Sequence, residues 1–168
     1  EYYDKLVVTL SPRTNKKLLK NLNYRSSKLS YLGALCGIIE FSKRPVPSYW
    51  TGITPTNKKD LPEYNNFLAL ISYAELDNQW NKKGNPSWPI YIASYISEEE
   101  FKQYTKKEWE QKMIKAVLEI SNLTFNNKSV KKSDILSINL AFAEYAQPII
   151  SPGFNLHPNP EKASFTYF

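Results

Sequence analysis

Ser133-Asp134-Ile135-Leu136-Ser137-Ile138-Asn139-Leu140-Ala141-Phe142-Ala143-Glu144-Tyr145 alternates apolar residues with small or polar ones. Side chains point alternately to the two faces of a strand, so this is the pattern of a long β-strand with unlike faces. One set, Leu136, Ile138, Leu140 and Phe142, suits a packed core. The other, Ser137, Asn139, Ala141, Ala143 and Tyr145, is small and polar and ends on an aromatic ring. It suits a wall that another molecule approaches. The strand runs on into Tyr145-Ala146-Gln147-Pro148 and a Pro152-Gly153 turn.

Upstream of this strand, Thr105-Lys106-Lys107-Glu108 has the capping-box spacing, and Trp109, Met113, Val117 and Ile120 recur at helical intervals. The spacing predicts a helix over about 106–121 with that stripe against a sheet. Ser97-Glu98-Glu99-Glu100 repeats the capping pattern and predicts a short turn of helix. Further strands are predicted at Tyr3–Leu10, Tyr31–Phe41, Phe67–Leu76 and Trp88–Ile96, with Ser164–Phe168 extended again. A short helix carrying Leu18, Leu19 and Leu22 follows Pro12. Tyr31–Phe41 is apolar on both faces, which implies cover on both sides. Gly33 and Gly37 share one of those faces and leave room there for something bulky. Tyr49-Trp50, after Pro45 and Pro47, leads into a polar connection. The order implies an α+β fold: a largely antiparallel mixed sheet with helices packed on one face, residues 1–168 forming a single domain.

A chain of 168 residues with 42% hydrophobic residues can bury a sizeable core. No apolar run reaches transmembrane length and no signal peptide is visible, so a cytoplasmic protein without membrane contact is expected. The net charge of +6 resides in one segment. Between Ser11 and Ser30 lie Arg13, Lys16, Lys17, Lys20, Arg25 and Lys28 with no acid, and the other basic residues balance the acids. That run reads as a solvated surface, and nucleic acid is not the expected partner. Cys36 is the single cysteine and His157 the single histidine. A disulfide within the chain and a multi-histidine metal site are thereby excluded; no metal ligands are expected, and Cys36 reads as a small buried hydrophobe.

Phosphate-cradling and nucleophile motifs are missing. Glu98 to Glu100 favour a helix N-terminus, and Glu40 and Glu144 read as solvated rim at strand ends. The sequons at Asn122 and Asn127 read as chance. No catalytic residue can be assigned. What stands out is a set of aromatics near strand ends and breaks: Tyr49, Trp50, Tyr73, Tyr95 and Tyr145.

Several stretches, in order, resemble the flavin-containing amine oxidase-like oxidoreductases. Tyr3-Asp4-Lys5-Leu6-Val7-Val8-Thr9-Leu10-Ser11-Pro12 is similar to the strand and turn leading from their FAD domain into their substrate domain. Leu32-Gly33-Ala34-Leu35-Cys36-Gly37-Ile38-Ile39-Glu40-Phe41 and Pro47-Ser48-Tyr49-Trp50-Thr51-Gly52-Ile53 resemble that domain's first long strand and its Tyr-Trp turn. Ile90-Tyr91-Ile92-Ala93-Ser94-Tyr95-Ile96 resembles a later strand. Ala143-Glu144-Tyr145-Ala146-Gln147-Pro148-Ile149-Ile150 resembles the strand returning toward the flavin, and Phe165-Thr166-Tyr167-Phe168 the opening of the closing FAD-domain strand.

The resemblance implies a substrate-binding (cap) domain, inserted in a larger FAD-dependent parent and inactive alone. Its partners would be the parent's FAD-binding domain and a small-molecule substrate. FAD would belong to the parent, with no cofactor contacts in this chain. Hydride transfer from a substrate carbon to flavin would be the cofactor's chemistry, the protein positioning and desolvating the substrate. Asn139, Tyr145 and Gln147 are the expected substrate-facing residues, with Tyr49 and Trp50 at the edge. Members often carry a Glu-His pair on the third strand, where this chain has Ser72-Tyr73-Ala74-Glu75, so substrate identity does not carry over. Two readings stay beside this one: a stand-alone module stacking RNA or carbohydrate on an aromatic sheet face, and a structural domain burying a partner chain there.

Overall fold

A computed structural model describes residues 30–53, 67–77 and 87–149. Nearly all of them belong to one compact unit, Tyr31–Gln147. A second unit, Glu1–Ser30 with Pro148–Phe168, lies outside the described residues apart from Ser30, Pro148 and Ile149. The strand expected at Tyr3–Leu10, the helix after Pro12 and the stretch Ser164–Phe168 therefore fall outside them.

Five strands form one sheet: β1 (Tyr31–Phe41), β2 (Trp50–Gly52), β3 (Ala69–Ser72), β4 (Trp88–Ile96) and β5 (Ile135–Pro148), in the spatial order β2-β3-β4-β1-β5. The β1–β4, β3–β4 and β2–β3 pairs are antiparallel. β5 also runs antiparallel to β1. Ser42 N–H donates to the Asp134 carbonyl at 2.8 Å at one end, and Gly33 meets Phe142 near the other. Two helices, α1 (Glu98–Lys102) and α2 (Lys106–Leu123), lie between β4 and β5 in the chain. The architecture is α+β, as expected.

Both helices start where their sequences dictate. Ser97 Oγ accepts from Glu100 N–H at 3.1 Å while the Glu100 carboxylate accepts from Ser97 N–H at 2.9 Å. Thr105 and Glu108 repeat the exchange at 3.3 and 2.7 Å. Each capping box satisfies donors that the first helical turn leaves open. Trp109, Met113, Val117 and Ile120 are all buried, joined by Ile114, Ala116 and Ser121.

The core lies between α2 and one face of the sheet. Leu35, Ile39 and Phe41 of β1 and Ile90, Ile92 and Ile96 of β4 supply the sheet side. The two strand glycines work as expected from their shared face. A Cβ at Gly33 would strike the Phe142 ring, and one at Gly37 the Met113 sulfur. Phe101 of α1 stacks on Phe142 with ring centroids 3.9 Å apart and lies parallel to Trp109 at 6.4 Å. Trp109 Nε1–H donates to the Phe101 carbonyl at 3.0 Å, which satisfies the one polar atom of a fully buried ring.

Four expectations change. β1 is buried on one face only: Leu32, Ala34 and Cys36 are half-buried and Ile38 is 43% exposed. Both described helices pack on the opposite face. In β5, Ile138, Leu140 and Phe142 reach the core, but Leu136 is 54% exposed, at the start of the last strand in the sheet order. The third strand is shorter than its apolar run: β3 stops at Ser72 and Tyr73–Glu75 forms a 3-10 turn. Finally, Trp50–Gly52 forms a short strand, β2, just after Tyr49, where no strand is predicted before the polar connection.

Residues 44–47 are fastened to the end of α2. Ser121 Oγ–H donates to the Pro45 carbonyl at 2.6 Å, and Asn127 Nδ2–H to the Arg44 carbonyl at 2.9 Å. The amide of one of the two sequons is thus already engaged in the fold.

Candidate functional site: the open sheet face

The sheet face opposite α2 is organised by strand register. Trp50 stands opposite Ile71, Ile71 opposite Tyr91, and Tyr91 opposite Ile38. Side chains directly opposite in antiparallel strands share a face, so these four make one row across β2, β3, β4 and β1. Two residues along each strand lies a second row: Gly52, Ala69, Ala93 and Cys36, again opposite one another in turn. Beyond it on β4 stands Tyr95, opposite Ala34. Trp50 is 58% exposed and Tyr95 47%. β5 adds Ser137, whose hydroxyl donates to the Glu40 carboxylate at 2.9 Å and so fixes the face of that parity. Asn139, Ala141 and Ala143 follow on it and are all exposed.

At the middle of the face, the Tyr91 hydroxyl and Cys36 Sγ are 3.0 Å apart. Sharing its proton with sulfur, and then partial burial, push the Tyr91 phenol up to about 12; the charges of Cys36, Tyr73 and Tyr95 act in the same direction. The phenols of Tyr73 and Tyr95 thus lie within electrostatic reach of Tyr91. Cys36 is half-buried and hydrogen-bonded, not the enclosed hydrophobe expected from its apolar strand. Nothing in the local sequence links Cys36 to Tyr91, because the two are 55 residues apart and only β1–β4 pairing joins them.

The structure divides the expected site residues between the two ends of the strand order. Tyr49 and Trp50 lie at β2, both exposed. Asn139, Tyr145 and Gln147 lie on β5, at the other end. Three strands separate the groups, roughly 19 Å at the usual strand spacing. Trp50 and Asn139 share the open face. Tyr145 does not continue its alternation. It adopts φ 57°, the left-handed region, and its half-buried ring meets Tyr31 edge-on at 5.7 Å. Tyr31 has the parity of the buried Leu35, so the pleat is broken at Tyr145. Gln147 is exposed. The residue that sequence reasoning left out of the site is Tyr91. Its signal was its place in the β4 run Trp88–Ile96, two positions from Ala93 and four from Tyr95.

The carboxylates near this face are engaged. Glu40 accepts from Ser137, and Glu75 receives two bonds from the Arg44 guanidinium, whose Nε donates at 2.6 Å. The Glu75 hydrogen bonds drive the Arg44 pKa further up. No group of His, Cys, Asp and Glu among the described residues could hold a metal ion. Nor do these residues fit a dinucleotide. Of the described glycines, Gly33 and Gly37 face Phe142 and Met113, and Gly52 lies in β2, so none forms a backbone cradle for phosphates.

No family model, curated protein or solved structure matches this chain. Among the described residues no helix is long and apolar enough to cross a membrane.

Proposed function

We propose that this chain is the substrate-binding (cap) domain of a flavin-dependent, amine oxidase-like oxidoreductase, its open sheet face forming the roof over the substrate. The observation that carries the reading is the face itself: helices pack on one side of the sheet, and the other presents Trp50, Tyr91 and Tyr95 with small side chains between them. Flat apolar rings with polar tips enclose a small molecule and orient it. The stretches that resemble the family support the same reading. Four of them supply β1, β2, β4 and the end of β5, the strands that build this face.

The described residues bind and exclude water; with Glu40 and Glu75 engaged, they offer no free acid or base on the face. FAD, when held by the parent's other domain, supplies the hydride chemistry. No step is assigned to it in this chain. The RNA-stacking reading is weaker. Every described strand position on the open face lacks Lys and Arg, and phosphate binding needs cations. The discriminating lysines, Lys16, Lys17 and Lys20, lie outside the described residues.

The test is expression of the whole gene that encodes this chain, followed by visible spectroscopy of the purified product. A flavin spectrum is expected. A full-length product that binds no flavin when reconstituted with FAD sinks the reading.

A further inference from the structure

We infer that the groove between α2 and the segment returning from it, residues 127–132, binds an extended dianion with an apolar middle, of the α,ω-dicarboxylate class. The groove has a volume of about 580 Å³, within the range of small-ligand sites. It lies on α2, away from the open sheet face, so the inference is independent of the roof reading. Two anchors set its geometry. Asn127 N–H donates to the Ser121 carbonyl at 2.9 Å, and Lys132 Nζ–H donates to Gln111 Oε1 at 2.7 Å. The segment therefore runs back along the helix, over about 15 Å from Ser121 to Gln111. The turn that starts it is fixed as well. Asn126 adopts φ 52°, and the Asn127 side chain donates to the Arg44 carbonyl at 2.9 Å. The groove is formed before a ligand arrives, which spares the ligand the cost of ordering it.

Apolar and charged groups are laid out along the groove in order. Its floor is apolar: Ile114 and Val130 are buried and Leu118 is half-buried. Lys115 and Glu119 on the helix beside it lie 3.9 Å apart, so the middle carries no net charge. Each end has a cation and a carboxamide. At one, Gln111 turns its oxygen to Lys132 and keeps its N–H groups for an anion. At the other, the Asn127–Ser121 bond brings their neighbours Lys128 and Asn122 together. Neither Lys128 nor Lys132 makes an ion pair among the described residues. Their Cα atoms are at most about 13 Å apart along an extended chain. Gln111 holds Lys132 at its own end, so a single head group meets one cation. A ligand charged at both termini meets both, with its methylenes over the floor.

The experiment is calorimetric titration of the 168-residue chain at low ionic strength with decanedioate, decanoate, butanedioate and decanediamine. Decanedioate is expected to bind. It should bind more tightly than decanoate, which has one charge, and than butanedioate, which is too short to reach both ends. Lys128→Gln and Lys132→Gln are each expected to weaken decanedioate roughly twofold to fivefold, and the double variant to remove its advantage over decanoate. Both lysines are exposed, so the variants have room to fold. Lys106→Gln, also exposed on α2 but outside the groove, is the control and is expected to change nothing. Five outcomes overturn the site: no binding of decanedioate, equal binding of decanoate or of butanedioate, tighter binding of the diamine, decanedioate affinity unchanged in both groove variants, or an equal loss in Lys106→Gln.

Discussion

The Tyr91 phenol is held protonated chiefly by its hydrogen bond with the Cys36 sulfur, and only then by burial. In Cys36→Ala the largest cause is gone. The phenol is expected to fall from about 12 toward the ordinary value near 10, read by NMR of ring-labelled tyrosine against pH. An unchanged titration would mean that burial alone sets it. The sign for stability follows. A raised folded pKa contributes stability that is complete below the unfolded value and lost as pH climbs from about 10 to about 12. Gly33 and Gly37 separate on mobility. The Phe142 ring that a Cβ at Gly33 would strike is clamped in its stack on Phe101, whereas Met113 is flexible. Gly33→Ala is expected to cost about 1–3 kcal/mol in urea unfolding and Gly37→Ala less. The reverse order contradicts this packing. That these glycines leave room was legible in their shared parity. Which ring and which sulfur fill that room was not, because both partners are distant in sequence.

At the scale of elements, α2 and the entry to β5 are the parts most open to test. Truncating Trp109 to Ala is expected to cost about 3–5 kcal/mol and Met113 to Ala about 2–5, since both are fully buried. Effects within error would contradict the helix register. Asp134, just before β5, caps its 3-10 turn through Lys131 N–H at 2.8 Å and meets Lys43 Nζ at 3.0 Å. The Lys131 hydrogen bond first, and then Lys43, hold its carboxyl below the usual aspartate range. A depressed folded pKa contributes stability present above the unfolded value, near 4, and lost as pH falls through the folded one. Asp134→Asn should therefore lower stability at neutral pH and flatten the acid limb of the unfolding curve. An acid limb identical to the parent's contradicts the role. The bounds of β1 and β4 were legible because each is a long apolar run stopped by Ser or Pro. β2 was not: three residues carry too little pattern, and its pairing with β3 is a non-local event.

For the whole molecule, charge and aromatic surface are separate properties. The basic excess is confined to residues 11–30, and the described open face is uncharged apart from Glu40. Any affinity for poly(U) is therefore expected to survive Trp50→Ala and Tyr95→Ala and to fall when Lys16, Lys17 and Lys20 become Gln, measured by fluorescence anisotropy. Loss of RNA binding on removing Trp50 alone would revive the stacking reading. The α+β class was legible from element order and cap chemistry. The open face was legible only along β5, because a row that crosses strands exists only once register is set. The sole thiol of the chain lies on that face beside Tyr91. The molecule thus carries its own occupancy gauge: a maleimide should label Cys36 more slowly whenever anything settles over it, with no second cysteine to confuse the count.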